Sequence, residues 1–111
     1  MSKTYKTRFS RYAEDDLLEI LDYFSYTNPE HAKKILLDIE RRSEELKKYP
    51  ERGRIVPELK KQNMIEYREL IEGYYRIIYV IQNDEVMIHS IIDGRRDFEE
   101  LIMTKLLRFY K

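Results

Sequence analysis

The side chains in this chain best suited to chemistry are its arginines. Residues 1–48 carry six Lys and four Arg, whereas residues 49–111 carry four Lys and seven Arg. A guanidinium is a planar fork that grips phosphate or carboxylate oxygens in pairs, which a lysine ammonium does not. If the segments that bear them converge, Arg54, Arg68, Arg76 and Arg95 together supply the charge stabilisation that a reacting phosphate needs. Metal-independent RNA cleavage also requires a base to activate the ribose 2′-hydroxyl and an acid to protonate the leaving oxygen. Glu58, Glu66 and Lys60 are base candidates, and nothing in the sequence selects among them. His89, amid Met87, Ile88, Ser90 and Ile91, fits a strand residue better than a general acid, and His31 fits a solvated helix position. The plainer role for Arg68 and Arg76 is cross-strand ion pairing with Glu66, Glu69 or Glu72, while Arg52, Arg54, Lys60 and Lys61 suit an ordinary solvated loop. Two isolated histidines and no cysteine offer no ligand spacing for a metal and no disulfide, so neither metal nor cofactor is expected.

Composition narrows the classes. Lys+Arg and Asp+Glu each total 21, giving a net charge of zero, so contact with nucleic acid would have to come from a local patch. With 111 residues and 42% hydrophobic side chains, the chain suits one domain over residues 1–111 with one core. The start, Met1-Ser2-Lys3-Thr4-Tyr5-Lys6, lacks an apolar leader, and no apolar run reaches the roughly 18 residues of a membrane span, so a soluble, cytoplasmic protein is expected.

The elements that must position the arginines follow from periodicity. Tyr5 to Phe9 alternates apolar and polar side chains, as a half-buried strand does. Ser10 then caps a helix over 11–26 whose stripe is Ala13, Leu17, Ile20, Leu21 and Phe24, with Glu14, Asp15 and Asp16 near its positive end. Asn28-Pro29 opens a second helix over 29–48 with the stripe Ala32, Ile35, Leu36, Ile39 and Leu46. So short a connection predicts an antiparallel helical hairpin. Residues 50–63 hold two of the three prolines and four basic residues against two acidic, which predicts a loop with a basic face. Three strands follow, Met64–Ile71, Tyr74–Ile81 and Val86–Ile92, separated by Glu72-Gly73 and Gln82-Asn83-Asp84-Glu85 as tight turns. Asp97 caps a last helix through Leu101, Ile102, Leu106 and Phe109. The fold class predicted is α+β: an N-terminal helical hairpin packed on a small antiparallel sheet of three to four strands, with a C-terminal helix.

The second of these strands is apolar on both faces, with Tyr75, Ile77, Tyr79 and Ile81 on one and Tyr74, Arg76, Ile78 and Val80 on the other. Either the chain's own helices and loops cover both faces, or one of them, Arg76 included, awaits a partner polypeptide.

In this order of elements lie five short motifs: Phe9-Ser10-x-x-Ala13, Pro50-x-x-Gly53-Arg54-x-Val56-Pro57-Glu58, Tyr67-Arg68-Glu69-Leu70, Tyr75-Arg76-Ile77-Ile78-Tyr79 and Asp93-Gly94-Arg95-Arg96-Asp97. Together they resemble the RelE/ParE superfamily of type II toxin–antitoxin toxins over nearly the whole chain. The Gly53 to Glu58 loop and the Gly94 to Asp97 segment look more like the ParE branch. That resemblance implies a bacterial toxin linked to plasmid stabilisation, acting on DNA gyrase by protein–protein contact and neutralised by a cognate antitoxin. It implies Arg54, Glu58, Arg68, Tyr75, Arg76, Arg95 and Arg96 as target- or antitoxin-binding residues, in a dimer or a toxin–antitoxin hetero-oligomer. The RelE branch implies instead cleavage of messenger RNA on the ribosome, with Arg54, Arg68, Arg76 and Arg95 as the catalytic set. In that branch a Tyr or His near the last strand or the C-terminus takes part, whereas here Asp97 and Phe98 follow Arg96, and Tyr110 stands near the end. A third alternative is an inactive binding module that keeps the fold.

Overall fold

Side chains that repeat every two residues, then every three or four, then every two again give strand, helices and strands in that order. The structure, a computed structural model that describes residues 3–107, begins with β1 (Lys6–Phe9), α1 (Arg11–Ser25) and α2 (Pro29–Glu45). It continues with β2 (Arg54–Ile55), the one-turn α3 (Pro57–Lys60), β3 (Tyr67–Glu72), β4 (Tyr75–Gln82), β5 (Glu85–Asp93) and α4 (Phe98–Leu107). This is the expected α+β arrangement of hairpin, sheet and C-terminal helix. Phe109 and Tyr110 lie outside the described residues.

The sheet is larger than expected and mixed. Its five strands run in the order β1-β5-β4-β3-β2, with β1 parallel to β5 and the other pairs antiparallel. The expected loop over 50–63 is partly ordered as β2 and α3, and it buries Val56 and Leu59. The caps hold as expected: Ser10 Oγ accepts from Ala13 N at 3.0 Å, Asn28 Oδ1 from His31 N at 3.2 Å and Asp97 Oδ1 from Glu100 N at 3.2 Å. Gly73 and Asn83 take the positive φ that the two hairpin reversals require, +59° and +57°.

Both faces of β4 are covered by the chain itself. Tyr75, Ile77 and Tyr79 pack against Ala13, Leu17, Ile35, Ile39 and Leu46 of the hairpin side. Ile78 packs on the other side with Val56, Leu59, Ile92, Phe98, Ile102 and Leu106. The face that carries Arg76 is therefore closed by α4 and the β2–α3 segment and is not left for a partner. Tyr74, expected on that face, stands exposed in the β3–β4 turn. Each Ile or Leu so buried contributes roughly 1.5–3 kcal/mol, so the two layers hold the sheet from both sides.

β5 outruns its neighbour β1, and α1 takes over the exposed edge. Pairing with β1 ends at Phe9↔Ile88. Beyond it, Ser10 N donates to Ile88 O at 2.9 Å, Ser10 Oγ donates to His89 O at 3.0 Å, and Ile91 N donates to Asp16 Oδ2 at 3.0 Å. On the other edge the register moves from Ile78↔Ser90 to Tyr79↔Ile88, so His89 is the extra residue of a β-bulge. Asp16, expected merely to complement the helix dipole, points inward at 4% exposure.

Ser10 thus serves the helix and the strand edge with one hydroxyl. Ser10→Ala should lower unfolding stability by about 1–3 kcal/mol, measured by urea denaturation, because a cap and a buried acceptor's partner are lost together. A change within a few tenths of a kcal/mol would show that the hydroxyl is not needed at either end.

Candidate functional site

Glu69 is the hub of the candidate site. It lies in β3 at 1% exposure, with Arg54 opposite it in β2 and Arg76 diagonal to it in β4 on the same sheet face. Arg54 Nε donates to Oε2 of Glu69 at 2.7 Å, while Arg76 Nε and Nη2 donate to Oε1 and Oε2 at 2.6 and 2.9 Å. The same Arg76 guanidinium grips Glu58 of α3 through Nη1 and Nη2 at 3.0 and 2.8 Å and lies 3.4 Å from the centre of the Phe98 ring. Gly94 leaves room for that side chain, since a Cβ there would come within 3.1 Å of Arg76 Cδ. Hydrogen bonding from Arg76 holds the Glu58 carboxyl below its ordinary value, against the opposing effect of burial. Burial would lower the Arg76 pKa, but its bonds to Glu58 and Glu69 more than offset it and raise it.

The other expected site residues lie apart from this hub. Arg68, opposite Tyr79, is on the hairpin face of the sheet, where Nη1 donates to Gly53 O at 2.8 Å and to Glu51 O at 3.4 Å. It does not take the cross-strand carboxylate expected of it, and Glu72 pairs with Arg41 and Arg42 of α2 instead. Arg95 holds Asp93 bidentately at 3.0 and 2.8 Å and lies over Tyr74. That bond lowers the Asp93 pKa and raises that of Arg95. Tyr75 is buried at the end of β4, and its phenol pKa is raised by burial and then by Asp93. Arg96 is exposed, with no ion pair among the described residues. The four arginines of the ribonuclease alternative therefore do not converge: Arg54 and Arg76 meet, Arg68 is on the opposite face, and Arg95 is held by Asp93. Glu58 is held by Arg76. His89 is buried in the bulge, shares a 2.7 Å hydrogen bond with Ser90 Oγ and meets Tyr67 edge-on.

A second feature is a cleft of about 330 Å³ between α1, the end of β5 and α4. Tyr75, Asp93, Arg95 and Arg96 line it together with Asp16, Glu19, Tyr23 and Lys105, none of which stood out as a site residue in the sequence. Asp16 forms its inner strut, accepting from Lys105 Nζ at 2.6 Å as well as from Ile91 N. An acid beside the Ala13–Leu17 stripe and a lysine on the last helix were the available signals. Among the described residues no group of three or more His, Asp or Glu could hold a metal, and no helix is long and apolar enough to cross a membrane.

Residues 7–98 match the family described as the ParE toxin of the type II toxin–antitoxin system parDE. The fold is similar to a chain in the chromosomal ParDE toxin–antitoxin system from P. aeruginosa, with a TM-score of 0.68 and 23% identity over 83% of this chain and 98% of that one. It is also similar to a chain in the toxin–antitoxin complex RelBE2 from Mycobacterium tuberculosis, with a TM-score of 0.60 and 21% identity over 81% of this chain and 98% of that one. Comparison with curated proteins gives no match.

Two outcomes follow from the hub. Arg76→Met leaves the buried Glu69 with one guanidinium and Glu58 with none, and should cost about 3–5 kcal/mol in urea unfolding. The depressed Glu58 pKa contributes stability that is present above the ordinary carboxylate value of 4.5 and is lost as pH falls through the lower folded value. Glu58→Gln should accordingly reduce stability at neutral pH and flatten its decline below pH 4.5. An acid limb as steep as that of the unmodified chain would show that Glu58 is not the group being titrated.

Proposed function

The chain belongs to the ParE toxin family of type II toxin–antitoxin systems, and from that premise we propose that it inhibits DNA gyrase by protein–protein contact and is neutralised by a cognate antitoxin. The family match over residues 7–98 carries this reading. On this reading its action lies in the bacterial cytoplasm, where both proposed partners would be met. The pairing of the arginines supports inhibition over RNA cleavage. A ribonuclease needs guanidiniums free to meet the charge that develops on a phosphate. Here Arg54 and Arg76 are bound to Glu69 and Glu58, and Arg95 to Asp93. An inhibitor needs a shaped surface and no acid–base pair. Of the expected binding residues, Arg54, Arg95 and Arg96 face solvent and are the ones to touch a partner, while Glu58, Arg68, Tyr75 and Arg76 hold that surface in place.

Purified protein should abolish gyrase supercoiling of plasmid DNA, and the co-purified antitoxin should restore it, with messenger RNA on ribosomes left intact. Codon-positioned cuts with gyrase unaffected would sink this reading in favour of the nuclease, and unimpaired growth on expression would favour an inactive binding module.

A further inference from the structure

A groove of about 530 Å³ lies between the residues ahead of β1 and the turn after α2. Among the described residues three cations line it, Lys3, Lys48 and Arg52, against one acid, Glu51. Two tyrosines stand among them. Lys3 Nζ lies 4.8 Å from the centre of the Tyr5 ring, and the Arg52 guanidinium lies 5.0 Å from that of Tyr49. The backbone between these side chains is fixed: Tyr5 N donates to Lys47 O at 2.8 Å, Arg52 N donates to Tyr49 O at 3.0 Å, and Pro50 O accepts from the Tyr79 hydroxyl at 2.6 Å.

Part of this charge is accounted for within the chain. Lysines after a helix C-terminus complement its negative pole, Lys47 pairs with Glu44 at 2.8 Å, and Arg52 pairs with Glu45 at 2.9 Å. Lys3 and Lys48 are different, since both are exposed and neither has an ion pair among the described residues. Tyr5 packs partly on the core, but Tyr49 is 57% exposed. Exposed rings beside free ammonium groups match single-stranded nucleic acid, whose bases offer faces for stacking and whose phosphates offer the negative charge. Duplex DNA keeps its base faces stacked on one another and would engage the cations alone.

We propose that this groove binds a short segment of single-stranded nucleic acid, with a base stacked on Tyr49 and the flanking phosphates held by Lys3 and Lys48. The inference stands apart from the gyrase reading, because it concerns other residues and a ligand that the chain meets alone. A net charge of zero supplies no long-range attraction, so the contact rests on these few cations and weakens with salt.

The test is the fluorescence anisotropy of a labelled oligothymidylate titrated with the intact chain. Binding should weaken with added salt, with a log–log slope of about −0.7 for each phosphate held. Lys48→Glu should raise Kd about fivefold or more through the lost phosphate contact. Tyr49→Ala should raise it by about the same factor, while Tyr49→Phe stays within about twofold of the unmodified chain, because stacking needs the ring and not the hydroxyl. Lys33→Glu, the same charge reversal at an exposed residue of α2 outside the groove, should also leave Kd within about twofold. These variants should keep the urea midpoint of the unmodified chain, since each alters an exposed side chain. No binding of oligothymidylate at low salt would overturn the proposal. So would an equal loss in Lys33→Glu, which would make the attraction diffuse, or equal affinity for a duplex of the same length that Tyr49→Ala leaves unaltered. Retention on phosphatidylserine vesicles that Lys48→Glu abolishes, with no oligothymidylate bound, would overturn it in favour of a membrane surface. None of these outcomes bears on gyrase inhibition, which the supercoiling assay reads separately.

Discussion

A carboxylate that water cannot reach must be neutralised by the fold around it, and Glu69 sets that condition for half of this molecule. Removing an ion from water costs several kcal/mol even after relaxation, and attraction to one counter-charge does not reliably cover it. Glu69 draws on two guanidiniums, and each brings a further element with it. Arg54 fixes the two-residue β2 against β3, a strand too short to hold by its own ladder. Arg76 reaches on to Glu58 and Phe98, fixing the one-turn α3 and the start of α4. A network of this kind adds modestly to net stability, but one arrangement of β2, α3 and α4 satisfies it, so its main effect is to select that arrangement.

The same neutralisation decides what the arginines can do. Guanidinium groups raise the expectation of phosphate chemistry only while they are free, and here the nearest negative charges are the chain's own. A net charge of zero makes this more than local, because no excess positive field remains to draw RNA in. Protein recognition asks for less, a rigid surface with a few donors at its edge, and on the proposed reading those donors are the solvent-facing Arg54, Arg95 and Arg96.

How much could be read from the sequence depended on how local each cause was. The stripes of α1 and α2 and the caps at Ser10, Asn28 and Asp97 are set within a few residues, and they were legible. So were the reversals at Gly73 and Asn83, which need positive φ. The strand β2 and the helix α3 were not, because two residues cannot alternate visibly and a single turn has no period. The parallel seat of β1 against β5 was also hidden, since it joins residues some 80 positions apart and leaves no mark in either segment's pattern. Asp16 looked like a dipole-complementing acid because its partners, Ile91 N and Lys105, are distant in sequence. For the candidate site the residue types were visible, but whether four arginines converge is a matter of sheet face, and the register put Arg68 opposite Tyr79 and away from Arg76.

The motif over Pro50 to Glu58 shows why membership in this family speaks first about architecture. The Tyr79 hydroxyl donates to Pro50 O at 2.6 Å and accepts from Gly53 N at 2.9 Å, and burial raises its pKa above the ordinary phenol value. Gly53 has no alternative, as a Cβ there would lie 2.5 Å from Glu69 O. Arg54 and Glu58 belong to the charge network, Val56 is core, and Pro57 begins α3 where its missing N–H costs nothing. Each recognisable position is thus held by the fold itself. Positions that the fold itself requires say nothing about a partner, so chains that share this motif need not share one.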